Sequence, residues 1–330
     1  NLTPLAGNGP LKRQLEGETA RRGLSHAYML CGPAGSGKRT LAGLLSAALV
    51  CTGGGELPCG RCSGCKKALA GIHPDIITVG DDGKDITVAQ VRALRSDAYI
   101  KPNEATRKVY VLHRAQSMNQ SAQNAMLKLL EEGPPYAAFL LLADNPAALL
   151  STVRSRCEVL TLTPVTRQEA LAWLSARYPQ RTPQQLEAAA ERCEGLLGRA
   201  VQELESEAGE IRREVQAAGE LLRRMCTGGE LALAEFCVGL EKDKWDRDSL
   251  DGLLEEWILL LRDSLTAARG VCRESDPWRR TLAEQAAAAL PSRQLMAAVR
   301  LAEELRQALT CNLGAGHLAG WLAAGLAKPG

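Results

Sequence analysis

Two hydrophobic patterns follow one another along the chain. Up to about residue 165, short apolar runs alternate with stretches whose apolar positions recur every three or four residues. The runs His26–Leu30, Ile76–Val79, Val109–Leu112, Ala137–Ala143 and Glu158–Leu162 read as strands, mostly of the kind buried on both faces. Between them, residues 5–24 (Leu5, Leu11, Leu15, Leu24), Lys38–Val50, Ile86–Tyr99 (Val88, Val91, Leu94, Ala98) and Ser117–Glu132 (Ala122, Ala125, Met126, Leu129, Leu130) carry the helical period. Gly133-Pro134-Pro135 stops the last of these. Strands separated by helices predict a parallel, doubly wound sheet.

Beyond residue 165 only the helical pattern continues. Thr166 with Glu169, and Thr182-Pro183 with Gln185, are capping boxes that open helices, so residues 166–207 predict a small helical domain. Its close, Glu194 to Ala200, sets Arg199 on a helix start punctuated by Gly195 and Gly198. Residues 208–330 predict further helices, broken at Gly228-Gly229, at Asp276-Pro277 and at Pro291. The expected class is α/β giving way to all-α, with a sheet domain over 1–165 and helical domains over 166–207 and 208–330. Abundant Ala, Leu, Glu and Arg, with only 4% aromatics, agree with that shift toward helix.

Charge narrows the function classes little. A formal net charge of +2 is too small to argue for nucleic-acid binding by bulk electrostatics. No apolar run approaches the ~18 residues of a membrane span, and no secretory leader is recognisable, which predicts a cytoplasmic protein without a membrane partner. The chain opens at Asn1 rather than methionine, so natural residues before Asn1 are expected. Of the eleven cysteines, Cys51, Cys59, Cys62 and Cys65 cluster, while Cys31, Cys157, Cys193, Cys226, Cys237, Cys272 and Cys311 lie scattered in apolar contexts. Seven leftovers cannot pair off, and they read as small core residues of a reduced protein.

Chemistry concentrates between Cys31 and Cys65. Gly32-Pro33-Ala34-Gly35-Ser36-Gly37-Lys38 follows a strand, opens a helix and fits the first seven places of G-x-x-x-x-G-K-[ST]. Backbone N–H groups at such a helix start can cradle phosphate, with Gly35, Gly37 and Lys38 as the candidate contacts. The eighth place, which should offer a hydroxyl to Mg²⁺, is Arg39. Thr40 cannot replace it, because one residue rotates the side chain by roughly 100°. A glycine turn serving only the strand-to-helix connection is the competing reading.

The strand Val109–Leu112 carries the same message. A phosphate-loop ATPase ends it in acids that hold Mg²⁺ and orient water, whereas here His113-Arg114 follow. Asp144-Asn145, at the tip of the next strand, suit either a polar contact to a nucleotide or a turn before Pro146.

The cysteine half reads C-x7-C-x2-C-x2-C, with glycines at 53, 54, 55, 60 and 64. Two short steps let thiolates converge on one ion, and a tetrahedral Zn²⁺ with four sulfurs leaves no open position, so a structural site is expected. His73 is the alternative fourth ligand to Cys51.

With these residues in hand, the chain resembles the delta-prime family of bacterial DNA polymerase III clamp-loader subunits, within the AAA+ family. The resemblance rests on the phosphate loop followed by the cysteine module, on His73-Pro74-Asp75, and on Asn124-Ala125-Met126-Leu127-Lys128 with Leu130-Glu131-Glu132. Ser155-Arg156-Cys157, the Gly195 to Ala200 segment and Cys311-Asn312-Leu313 add to it. It implies an AAA+ type sheet domain with a zinc module, a helical lid and a helical collar. It also implies a hetero-oligomeric ring with delta and the ATPase subunits gamma/tau that places a sliding clamp on primed DNA. Arg156 would act in trans as an arginine finger, neutralising charge on a neighbour's phosphoryl group, which is worth ~10³–10⁵ in rate where fingers are measured.

The gamma/tau-type motor is the nearest competitor. It requires a hydroxyl after Lys38 and acids after residue 112, or a substitute carboxylate such as Glu131 or Asp144 for the metal. Both departures favour a subunit with little or no ATP hydrolysis, with ATP or ADP binding through Gly37, Lys38 and Arg199 left open. A freestanding zinc-dependent nucleic-acid reader is a third reading, opposed by scarce aromatics and by the few basic residues, Arg61, Lys66 and Lys67, near the cysteines.

Overall fold

The computed structural model describes residues 2–81, 85–205, 213–227, 229–243, 245–271, 276–309 and 315–326. They form two compact units, 1–205 and 206–330. The first runs α1 (Gly9–Arg22), β1 (Ala27–Cys31), α2 (Lys38–Leu49), α3 (Ser63–Leu69), β2 (Ile76–Val79), α4 (Val88–Ala98), β3 (Lys108–Leu112), α5 (Gln120–Glu132), β4 (Ala137–Ala143), α6 (Ser151–Arg154) and β5 (Glu158–Thr161). Helices α7 (Arg167–Arg177), α8 (Pro183–Arg192) and α9 (Leu197–Glu205) complete it.

All four strand pairings are parallel, in the order β2-β3-β4-β1-β5. The three inner strands are buried residue for residue, as continuous apolar runs require when both faces are covered. One face packs on α4 and α5 through Met29, Tyr110, Phe139, Val91, Leu94, Met126 and Leu129. The other packs on α1 and α2 through Leu30, Leu140, Leu11, Leu41 and Leu45. Tyr110 and Phe139 stack across β3 and β4 with ring centroids 5.3 Å apart.

Helix α5 begins at Gln120, three residues later than its hydrophobic period suggests. Arg114 adopts φ 52°, Ala115–Ser117 make a 3₁₀ turn, and the Asn119 side chain then caps the helix by accepting from Ala122 N. Capping residues end a period that apolar spacing alone would extend.

Both capping boxes form as the sequence predicts, at Thr166/Glu169 and Thr182/Gln185. Helices α7 to α9 share a core of their own around Leu174, Leu186, Ala189, Cys193 and Ala200.

The second unit contains α10 (Arg213–Thr227), α11 (Gly229–Lys242), α12 (Arg247–Ala267), α13 (Pro277–Ala289), α14 (Ser292–Leu309) and α15 (Ala315–Leu326). Trp257 is fully buried at its centre with Leu253, Leu254, Leu261 and Leu305. Among the described residues, no helix is long and apolar enough to cross a membrane. Cys31, Cys193 and Cys237 are buried, Cys157 and Cys226 half-buried. Cys272 and Cys311-Asn312-Leu313 lie outside the described residues.

Candidate functional site

Helix α2 joins the two chemical features of the first unit. The glycine loop leads into its N-terminus and the cysteine module leaves its C-terminus, about 18 Å away for twelve residues at 1.5 Å each.

At the loop, Gly35 and Gly37 adopt φ 80° and 98°, the left-handed region that side chains disfavour. The amide of Gly198, at the start of α9, donates to the carbonyl of Gly35 at 2.9 Å. A Cβ on Gly198 would sit 2.6 Å from the Gly35 Cα, so only glycine permits this approach. The backbone of Arg199 thereby lies beside Gly35, and its side chain pairs with Glu194 at 3.4 Å.

Lys38 is 13% exposed, and its ammonium donates to the carbonyls of Gly32 and Pro33 and to Asp144 Oδ1 at 2.8 Å. Those three bonds match its three protons. Asp144 Oδ2 accepts from Gln116 at 2.7 Å, and Asn145 caps the following turn by accepting from Ala147 N. Cys31, buried beneath the loop, has its thiol pKa raised by burial.

The groups that Mg-nucleotide chemistry needs are replaced. Arg39 points to solvent and pairs with Asp81 at 2.9 Å, while Thr40 is exposed one position further around the helix. His113 is buried at the end of β3, where burial lowers its pKa, Asp81 raises it and Arg39 lowers it. Neither residue offers oxygen to a cation, and the site does not fit Mg²⁺-ATP.

The cysteine module is compact. The sulfurs of Cys51, Cys59, Cys62 and Cys65 all lie within 4.8 Å of one another, with Cys51–Cys62 and Cys59–Cys65 both at 3.9 Å. Zn–S bonds of ~2.3 Å in a tetrahedron set sulfurs about 3.8 Å apart, so the set fits a four-coordinate ion. The amide of Cys62 donates to Cys59 Sγ at 3.4 Å, and that of Cys65 to Cys62 Sγ at 3.3 Å. Such bonds favour thiolate: the Cys65 and Thr52 amides hold Cys62 at a pKa of about 5. Burial instead pushes Cys65 up to about 12. His73 is engaged elsewhere, accepting from Asp75 N at 3.1 Å.

Asp75 itself is 1% exposed. Its carboxylate accepts from the amides of Asn103 at 2.6 Å, and of Glu104 and Ala105 at 2.8 Å each. Burial works against its charge, and the three amides outweigh it, so its pKa is lowered. Asp75 therefore anchors the α4–β3 loop, and the cluster able to hold a metal consists of the four cysteines without His73.

Arg156 follows α6, away from these two features in sequence. It pairs with Glu131 on α5 and donates to the Thr152 carbonyl at 2.8 Å, remaining 36% exposed. The two carboxylates that a motor would need as substitutes, Glu131 and Asp144, are thus both paired to cations of this chain.

One feature escaped the sequence reading. A groove of about 370 Å³ between α4 and α5 has an apolar floor of Val88, Val91 and Ala125 and is also lined by Arg92, Arg95, Ser121, Asn124 and Lys128. The spacing of Arg92 and Arg95 on the polar face of α4 was the available signal. Their convergence with Lys128 required the helix pairing.

Residues 7–166 match a family model described as DNA polymerase III, delta subunit. The delta-prime subunit of Bacillus subtilis is 38% identical over 142 residues, 43% of this chain and 43% of that protein. Over this segment the chain is similar to delta-prime subunits of DNA polymerase III. The tau subunit of Bacillus subtilis is 30% identical over 165 residues, 50% of this chain and 29% of that protein. The chain thus spans less than half the length of these two relatives. A solved gamma subunit-related protein of Thermotoga maritima superposes with a TM-score of 0.45 at 17% identity, covering 95% of this chain and 98% of that one. The first unit is thus a five-stranded parallel α/β sheet with helices on both faces, and its four cysteines form a cluster able to hold a metal ion.

Proposed function

We propose that this protein is a non-motor, delta-prime-type subunit of a DNA polymerase III clamp loader, working in the cytoplasm. Arg39 carries the reading: it stands where the Mg²⁺ hydroxyl belongs and is turned outward onto Asp81. Greater identity to delta-prime than to tau supports the same choice. The partners are the delta and gamma/tau subunits, and through them the sliding clamp and primed DNA.

In this assembly Arg156 is the finger offered to a neighbouring ATPase site. Cys51, Cys59, Cys62 and Cys65 hold a structural Zn²⁺, with no open position for chemistry. Residues 1–165 form the sheet domain, 166–207 the lid and 208–330 the collar that holds the ring together. The groove of Arg92, Arg95 and Lys128 suits the phosphate backbone of DNA, which cations read without regard to sequence.

The test is co-assembly with delta and gamma/tau subunits, followed by ATPase assay with clamp and primed DNA. Arg156→Ala should leave assembly intact and lower the rate at the neighbouring site by roughly 10³ or more. Unchanged ATPase would remove the finger. Mg²⁺-dependent turnover by the isolated chain, abolished by Lys38→Ala, would instead identify a motor.

A further inference from the structure

The phosphate loop is closed by the chain's own carboxylate. Asp144 is the first residue after β4, and the register Cys31↔Ala143 sets it beside the start of the glycine loop. Its Oδ1 takes one Lys38 proton while the Gly32 and Pro33 carbonyls take the others. Its Oδ2 is held by Gln116, from the turn after β3. The loop's apex is tied as well, through the Gly198 amide on Gly35.

We propose that Asp144 is a built-in anion that occupies the lysine of the cradle and excludes phosphate ligands, nucleoside di- and triphosphates included. An incoming phosphate meets two obstacles of one origin. It needs a Lys38 proton that Asp144 already holds, and it approaches a like charge with which it repels. Asparagine at 144 keeps the side-chain shape and an acceptor for Lys38 or Gln116, and it removes the charge.

The experiment measures binding of inorganic pyrophosphate, and of ADP without Mg²⁺, to the full chain by titration calorimetry. Asp144→Asn should bind roughly tenfold more tightly than the wild type, and the gain should vanish in Asp144→Asn/Lys38→Ala. Asp144→Ser repeats the comparison, and thermal melts confirm that the variants fold, as expected for a side chain 57% exposed. Equal affinity of wild type and both variants, down to no detectable binding by any, overturns the proposal. A gain that survives Lys38→Ala does so too. Co-assembly with clamp-loader subunits does not enter this measurement, so either reading can fail alone.

Discussion

Replacing Asp75 with asparagine tests how the sheet unit holds the connection between α4 and β3. The change preserves size and removes the charge from a site where three backbone amides converge at 2.6–2.8 Å. The amide oxygen can still accept, whereas the NH₂ group must face N–H donors that then lose their partner. A hydrogen bond to a charged group contributes about 1.5–3 kcal/mol, and leaving a buried donor unsatisfied costs about 1–3 kcal/mol. Losing one to two of the three bonds should therefore destabilise the sheet unit by about 3–5 kcal/mol. Urea denaturation is the assay, with the second unit as internal control, because 206–330 packs around its own core. Its transition should stay in place while the first shifts. The pH dependence checks the cause: a carboxylate whose folded pKa is lowered adds stability that is complete above the unfolded value of about 4 and is lost as pH falls through the folded value. His113, also lowered, acts in the same direction from about pH 6.5 downward. Asp75→Asn should flatten only the lower part of this decline. A loss below about 1 kcal/mol, one ordinary neutral hydrogen bond, would refute the account.

Two further outcomes follow from close contacts elsewhere. A Cβ at Gly53 would lie 2.7 Å from Cys59 Sγ, so Gly53→Ala should displace that sulfur and lower the metal content of purified protein. Full metal occupancy by elemental analysis would show that the module tolerates a rearranged sulfur. In the second unit, Arg279 and Glu256 pair with side chains 10% and 11% exposed. Glu256→Ala strands a buried guanidinium and should cost about 3–5 kcal/mol, while Arg279→Met with Glu256→Leu should cost far less. Equal losses in equilibrium unfolding would mean that the charges themselves stabilise this core.

The strands were legible as short apolar runs, the inner three because they are buried on both faces: β2 and β4 coincide with their runs, β3 and β5 differ by a residue at one end, and β1 by a residue at each end. Capping boxes were legible because they are local. The start of α5 was not, since the left-handed Arg114 and the 3₁₀ turn after it take up positions that continue the apolar period. The cysteine cluster could be read from spacing alone, whereas the pairs Lys38–Asp144 and Arg156–Glu131 join residues 106 and 25 positions apart. Strand order creates the first of these by setting β4 beside β1, and hydrophobic periodicity carries no information about that order.

Those pairs bear on how one chain could lose nucleotide chemistry of its own and still serve a neighbour's. Lys38, Arg39, Arg199 and Arg156 each face a carboxylate of this chain, namely Asp144, Asp81, Glu194 and Glu131. Their cost of exchange differs. Releasing Lys38 to a phosphate breaks bonds to two backbone carbonyls as well as the ion pair, at a side chain only 13% exposed. Arg156 and Glu131 are 36% and 43% exposed, in the range where an ion pair contributes about 0–1 kcal/mol. A phosphoryl group on an adjoining subunit would compete against that small term and would gain a charge-assisted contact in return. In the proposed ring, the cation that is cheapest to redirect is therefore the one directed outward, and the cradle lysine is the one the fold retains.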